Sequence, residues 1–112
     1  MKRGVVTRLL NPKWLNEMLN HGHNGAQKIA DRVEYLLGIA ATMRCVNNWM
    51  WDQVAQTIVF NDEISEKIKK ENPWAFQKIL KTLIEANARG YWESSEKTIE
   101  ELKKVYENIY EQ

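Results

Sequence analysis

Twice in this sequence an Asn-Pro pair opens a segment in which apolar residues return every third or fourth position, at Asn11-Pro12 and at Asn72-Pro73, each followed within two residues by a Trp. The Asn side chain can accept from the free N–H groups of a helix start, and Pro at the first helical position loses nothing by lacking its own N–H. The pairs read as two uses of one capping device, because the flanking segments share no longer period. After Pro12, Trp14, Leu15, Met18 and Leu19 share a face, and His21-Gly22 closes the helix, leaving His23, Asn24 and Gly25 as a turn. A second helix is expected over residues 26–42, with Ile29, Ala30, Val33, Leu36, Leu37, Ala40 and Ala41 at helical spacing. Gly38 and the Ala40-Ala41 pair carry little side chain, which suits close packing by a neighbouring helix.

Residues 44–48 read as a connection in which Asn47 or Asn48 caps the next helix. That helix, residues 49–58, sets Trp49, Met50, Val54, Thr57 and Ile58 on one side and Trp51 with Ala55 on the other. Asn61, followed by Asp62 and Glu63, starts a short helix marked by Ile64 and Ile68. The helix opened by Asn72-Pro73 carries Phe76, Ile79, Leu80, Leu83 and Ile84, and Arg89-Gly90 ends it. Ser94 or Ser95 caps a last helix with Ile99, Leu102, Val105, Tyr106 and Ile109 as its stripe. The expected fold is all-α, a single compact bundle of five to six helices forming one domain over residues 1–112, with a short extended N-terminal segment. That segment rests on Val5 and Val6 beside Gly4; with no second strand-like run, it would lie against helices or complete another chain's sheet.

A net charge of +1 leaves no excess for steering toward nucleic acid or anionic lipid. Cys45 is the only cysteine, so no internal disulfide is available, and no apolar run of about 18 residues or charged leader appears. The chain therefore reads as soluble and cytoplasmic, with no nucleic-acid or membrane partner.

Chemistry-bearing residues concentrate in residues 11–52, which hold both His, the Cys and three of the five Trp. His21 and His23 with Cys45 and Asp52 offer imidazole, thiolate and carboxylate, all metal-ligand types, although a closed zinc site wants more Cys or His. A His at a helix end also sits favourably against the carbonyl-rich terminus. Cys45 lacks a neighbouring Gly-rich turn to make it a nucleophile, and neither a phosphate loop nor a GxGxxG run is present. Basic residues near aromatics, Lys13-Trp14 and Arg44 near Trp49, suit a flat ligand bearing carboxylates, the ring holding the plane and the cation the anionic edge.

With its ordered series NPKW, HGHNGA, NNWMWD, NPWA and EANARGYW, the stretch from about Thr7 to Tyr106 resembles the C-terminal region of the cobaltochelatase large subunit (CobN type), a region shared with the magnesium chelatase H subunit. The resemblance implies a part in tetrapyrrole metal insertion. In that family the large subunit binds the corrin or porphyrin and the metal, and separate AAA-type subunits hydrolyse ATP. The lack of a phosphate loop agrees with this division. The family proteins are many times longer, so the chain matches the tail alone.

Two departures stand out. Where the family usually has a Thr-Gly-Ala-Val turn before an acidic residue and Trp, this chain has Met43-Arg44-Cys45-Val46-Asn47-Asn48-Trp49, so Gly has become Arg44 and a carboxylate an amide. His23 replaces an aromatic residue. The resemblance implies that His21, His23, Arg44, Trp49, Trp51 and Asp52 contact the tetrapyrrole or a partner, with His21 also offering a nitrogen to a metal in transit.

The expected function is a subunit or domain of an ATP-dependent, cobaltochelatase-like ligase complex inserting cobalt into a corrin for cobalamin biosynthesis. The isolated chain is not expected to be catalytic or to hold a cofactor; cobalt (or magnesium) and ATP/Mg belong to the complex. The expected partners are a larger chelatase subunit, AAA-type ATPase subunits and the tetrapyrrole, and exposed Trp would also permit a homo-oligomer. The alternative is a non-enzymatic helical module that binds a tetrapyrrole or a protein as carrier, scaffold or regulator.

Overall fold

The computed structural model describes residues 9–43 and 46–109. Val5 and Val6, and with them the expected extended segment, lie outside the described residues, as do Arg44 and Cys45. Six helices follow one another, with no strand among the described residues: α1 (Pro12–Leu19), α2 (Gly22–Met43), α3 (Asn48–Val54), α4 (Asp62–Glu71), α5 (Pro73–Ala88) and α6 (Glu96–Asn108). The fold class is all-α, as the apolar periodicity requires.

Side-chain caps set most of the starts. Asn11, Asn47, Asn61, Asn72 and Ser95 each accept a hydrogen bond from a backbone N–H in the first turn of the helix they precede, removing part of the cost of unpaired helix-end donors. Asp62 and Glu63 add negative charge at the start of α4, and Lys69 and Lys70 add positive charge at its end, both complementing the helix dipole.

α2 and α5 lie side by side and run in the same direction, since Asn72 reaches His23 at one end and Lys78 pairs with Asp31 and Glu34 farther along. α1 packs against α2, while α4 and α6 pack against α5. One connected core runs through all of them, from Leu9 and Leu15 through Ile29, Val33 and Leu36 to Phe76, Ile79, Leu80, Leu83 and Leu102. The Cα envelope measures 34 × 31 × 18 Å, about two helix layers deep. α1 has only eight residues. Helices that short are marginal alone, so its stability comes from burying Leu15 and Leu19.

Three local expectations change. α2 begins at Gly22, four residues before the expected start, so no turn intervenes over residues 23–25. The expected helix over residues 49–58 breaks its α pattern after Val54: residues Ala55–Val59 form a π turn, in which the Phe60 N–H donates to the Ala55 carbonyl at 2.9 Å. Its buried face is Trp51, Val54, Ala55, Ile58 and Val59, while Trp49 is 59% exposed. With apolar residues on every side of this helix, the one-residue widening of the π turn decides which stripe faces inward. Gly38, expected to admit a close neighbour, has none: a Cβ there would meet nothing within 4 Å.

Candidate functional site

Of the residues singled out by sequence, Arg44 and Cys45 lie outside the described residues, and His21, His23, Trp49, Trp51 and Asp52 occupy two corners of the bundle. At the first, α1 turns into α2. Gly22 has φ 63°, in the left-handed region, and an added Cβ at Gly25 would sit 1.6 Å from the Met18 carbonyl oxygen. The absence of a side chain at Gly25 is what lets α2 start directly against the end of α1. His21 and His23 are both exposed here. The His23 carbonyl accepts from Asn72 Nδ2 at 3.2 Å, and Asn72 Oδ1 accepts from the Ala75 N–H at 3.1 Å. Asn72 is completely buried and so ties the α2 start to the α5 start with both ends of one amide.

At the second corner, α3 meets the loop between α5 and α6. Trp92, 1% exposed, donates its indole N–H to Asp52 Oδ1 at 2.7 Å, and its carbonyl accepts from Asn87 Nδ2 at 3.0 Å. Asn48 accepts from the Glu93 N–H, leaving the capping of α3 to Asn47. Gly90, at φ 83°, supplies the left-handed step that turns the chain from α5 toward Trp92. Trp49 projects from this corner into solvent. Trp51 is wholly buried, and its indole N–H has no hydrogen-bond partner among the described residues.

Asp52 is thereby joined to Trp92, not to His21 or His23. The two corners sit at opposite ends of α5, whose 16 residues span about 24 Å. Among the described residues no group of three or more His, Cys, Asp or Glu is gathered to hold a metal ion. No helix in the same range is long and apolar enough to cross a membrane.

Sequence reasoning does not single out Trp92, Asn87 and Asn72 as site-shaping residues. A signal for them exists: each lies inside a motif of the ordered series, NPWA or EANARGYW. What spacing does not convey is that NNWMWD and EANARGYW meet in space.

Two open grooves flank α2. One, about 450 Å³, lies between α2, α5 and α6 and is lined by Glu34, Leu37, Trp74, Lys78, Lys81 and Tyr106 among others. Partial burial pulls on the Lys78 ammonium, but Asp31 and Glu34 outweigh it and hold its pKa above the ordinary lysine value. The other groove, about 430 Å³, is lined by Trp14, Met18, Lys28, Asp31 and Arg32.

Comparison with known proteins places this geometry. Residues 1–99 match the family model CobN/Magnesium Chelatase. The chain is 39% identical over 103 residues to the magnesium-chelatase H subunit of Chlorobaculum parvum, a match covering 92% of this chain and 8% of that one. It is 32% identical over 90 residues to the aerobic cobaltochelatase subunit CobN of a Sinorhizobium species, covering 80% and 7%. Its fold is similar to part of the catalytic subunit of cobaltochelatase from Mycobacterium tuberculosis, with a TM-score of 0.89 and 31% identity over 93% of this chain and 9% of that one. The chain thus spans less than a tenth of the length of these relatives.

Proposed function

This chain belongs to the CobN/magnesium chelatase family, and from that premise we propose that it is a working part of a tetrapyrrole metal chelatase, contributing to macrocycle binding or to assembly with a larger chelatase body. The cargo is cobalt delivered to a corrin in cobalamin biosynthesis, with magnesium and a porphyrin as the counterpart in the sister branch. Separate AAA-type subunits supply ATP hydrolysis, and the complex works in the cytoplasm. The likeness to the catalytic subunit, extending over nearly the whole of this chain, supports the reading.

The two corners divide the work. Asp52 and Asn48 fix the α5–α6 loop and hold Trp49 outward as a flat surface. His21 and His23 present imidazoles at the other end, where His21 can meet a metal in transit or a macrocycle edge. Trp51 stiffens α3 from inside. Arg44 and His23, the departures from the family pattern, adapt the edge to its own ligand. The chain holds no cofactor by itself, and insertion needs the rest of the complex.

Reconstitution tests this. Chelatase activity of the larger subunits should fall when this polypeptide is omitted and return when it is added back; full activity without it would sink the reading. The exposed rings of Trp49 and Trp74 favour a second reading, a non-enzymatic module that binds a tetrapyrrole or a protein. Saturable binding of a porphyrin by the chain, with no effect on a reconstituted chelatase, would select it.

A further inference from the structure

The two grooves beside α2 resemble each other in size and differ in charge. In the groove toward α5 and α6 the ammonium of Lys78 is shared by Asp31 and Glu34, each at 3.4 Å, and Glu85 is engaged by Arg89. Lys81 lines it too and has no ion pair among the described residues, but with Lys78 it is balanced in number by Glu34 and Glu85 of the same lining, so that groove carries no excess of positive charge. The groove toward α1 differs. Asp31 reaches its rim, but its Oδ1 already accepts from Gln27 Nε2 at 2.9 Å and from Lys78. Lys28 and Arg32, which line the same groove, have no ion pair among the described residues.

Lys28 and Arg32 are four residues apart in α2, so they stand one above the other on one helix face. Tyr35, 51% exposed, follows at the next turn of the same stripe. Across the groove α1 contributes Trp14 and Met18, four residues apart and both packed partly into the core, which fixes their positions. The result is an indole and a thioether as a fixed apolar wall, opposite an ammonium and a guanidinium that no carboxylate among the described residues pairs. An aromatic plane takes a flat ring, and a guanidinium takes a carboxylate with two parallel hydrogen bonds. At about 430 Å³, open to solvent, the groove is large enough for one edge of such a ligand without enclosing it.

We propose that the α1–α2 groove, walled by Trp14 and Met18 and edged by Lys28 and Arg32, binds the anionic edge of a planar, carboxylate-bearing ligand, the side-chain carboxylates of a tetrapyrrole being the occupant. This rests on the reading of the chain as a macrocycle-contacting part of a chelatase. Arg32 supplies the bidentate contact and Lys28 a second point charge; Trp14 selects for a flat partner.

The test uses the full chain and two porphyrins of one ring size, one carrying peripheral carboxylates and one carrying peripheral cationic groups. The readout is the shift of the porphyrin absorption band on titration. The carboxylate porphyrin should bind and the cationic one should not. Lys28→Glu with Arg32→Glu should weaken carboxylate-porphyrin binding by roughly tenfold for each charge reversed, whereas Lys81→Glu, in the other groove, should change it by less than about twofold. Lys28 is exposed and Arg32 half-buried, and an unchanged helical circular dichroism spectrum shows that the variants fold; Trp14→Phe, which keeps a ring, should weaken binding less than Trp14→Ala. Binding that survives the double substitution, or that falls equally with Lys81→Glu, overturns the groove. Binding abolished by Trp49→Phe but not by the double substitution overturns the groove and leaves the macrocycle reading standing, while failure of the wild-type chain to bind either porphyrin overturns both.

Discussion

The corner between α1 and α2 closes over glycine, whereas the corner between α3 and the α5–α6 loop closes over side-chain hydrogen bonds. At the first, Gly25 lets two helix ends touch backbone to backbone, and buried Asn72 ties that contact to α5. At the second, Asp52, Asn87 and Asn48 each hold one polar group of the Trp92-Glu93 loop. A contact made by missing atoms tolerates no added ones, while a contact shared among several hydrogen bonds loses strength one bond at a time. The first corner is therefore rigid and unforgiving, and the second is adjustable.

The sharpest way to break this contrast is Gly25→Ala. With the Met18 carbonyl oxygen 1.6 Å from the new Cβ, α1 must move as a body, and we expect a loss of at least about 3 kcal/mol in urea unfolding. A loss below about 1 kcal/mol would mean that the corner yields. Asn72→Ala comes next: it removes a cap and leaves the His23 carbonyl without that donor, for about 2–3 kcal/mol by the same measurement.

At the second corner, Asp52→Ala should cost about 1.5–3 kcal/mol, because the carboxylate accepts a charge-assisted bond from Trp92, and Asp52→Asn should recover part of that. A double-mutant cycle of Asp52→Ala with Trp92→Phe should give a coupling of about 1 kcal/mol; additive losses would show that the bond contributes nothing. The smallest effect has the opposite sign. Gly38→Ala, where a Cβ meets nothing, should raise stability by about 0.5–1 kcal/mol through helix propensity alone.

Much of the fold can be read from the chain because capping is local. Asn11, Asn61 and Asn72 announce their helices from within a few residues, and the capping hydrogen bonds they accept come from backbone N–H groups no more than three residues on. The choice between Ser94 and Ser95, or Asn47 and Asn48, needs coordinates, since either member of each pair has the right chemistry. Spacing alone puts Trp49 and Trp51 on faces of one unbroken helix; the π turn at Ala55–Val59 re-phases that segment, and no single-residue preference in it marks the extra width. Gly25 reads as a turn residue because its reason for lacking a side chain lies on another helix. The candidate site is harder still. Residues 11–52 look like one constellation in sequence, but the 22 residues of α2 carry its ends to opposite corners of the bundle.

The uneven burial of the tryptophans gives the chain a built-in optical reference. Trp51 and Trp92 are sealed from water at 0% and 1% exposure, while Trp49 and Trp74 stand 59% and 69% open. Emission should therefore separate into a short-wavelength component sheltered from iodide and a long-wavelength component that iodide extinguishes. A protein that covers Trp49 or Trp74 disturbs the second alone, whereas melting disturbs both. Docking and unfolding can thus be told apart in one cuvette, with no dye attached.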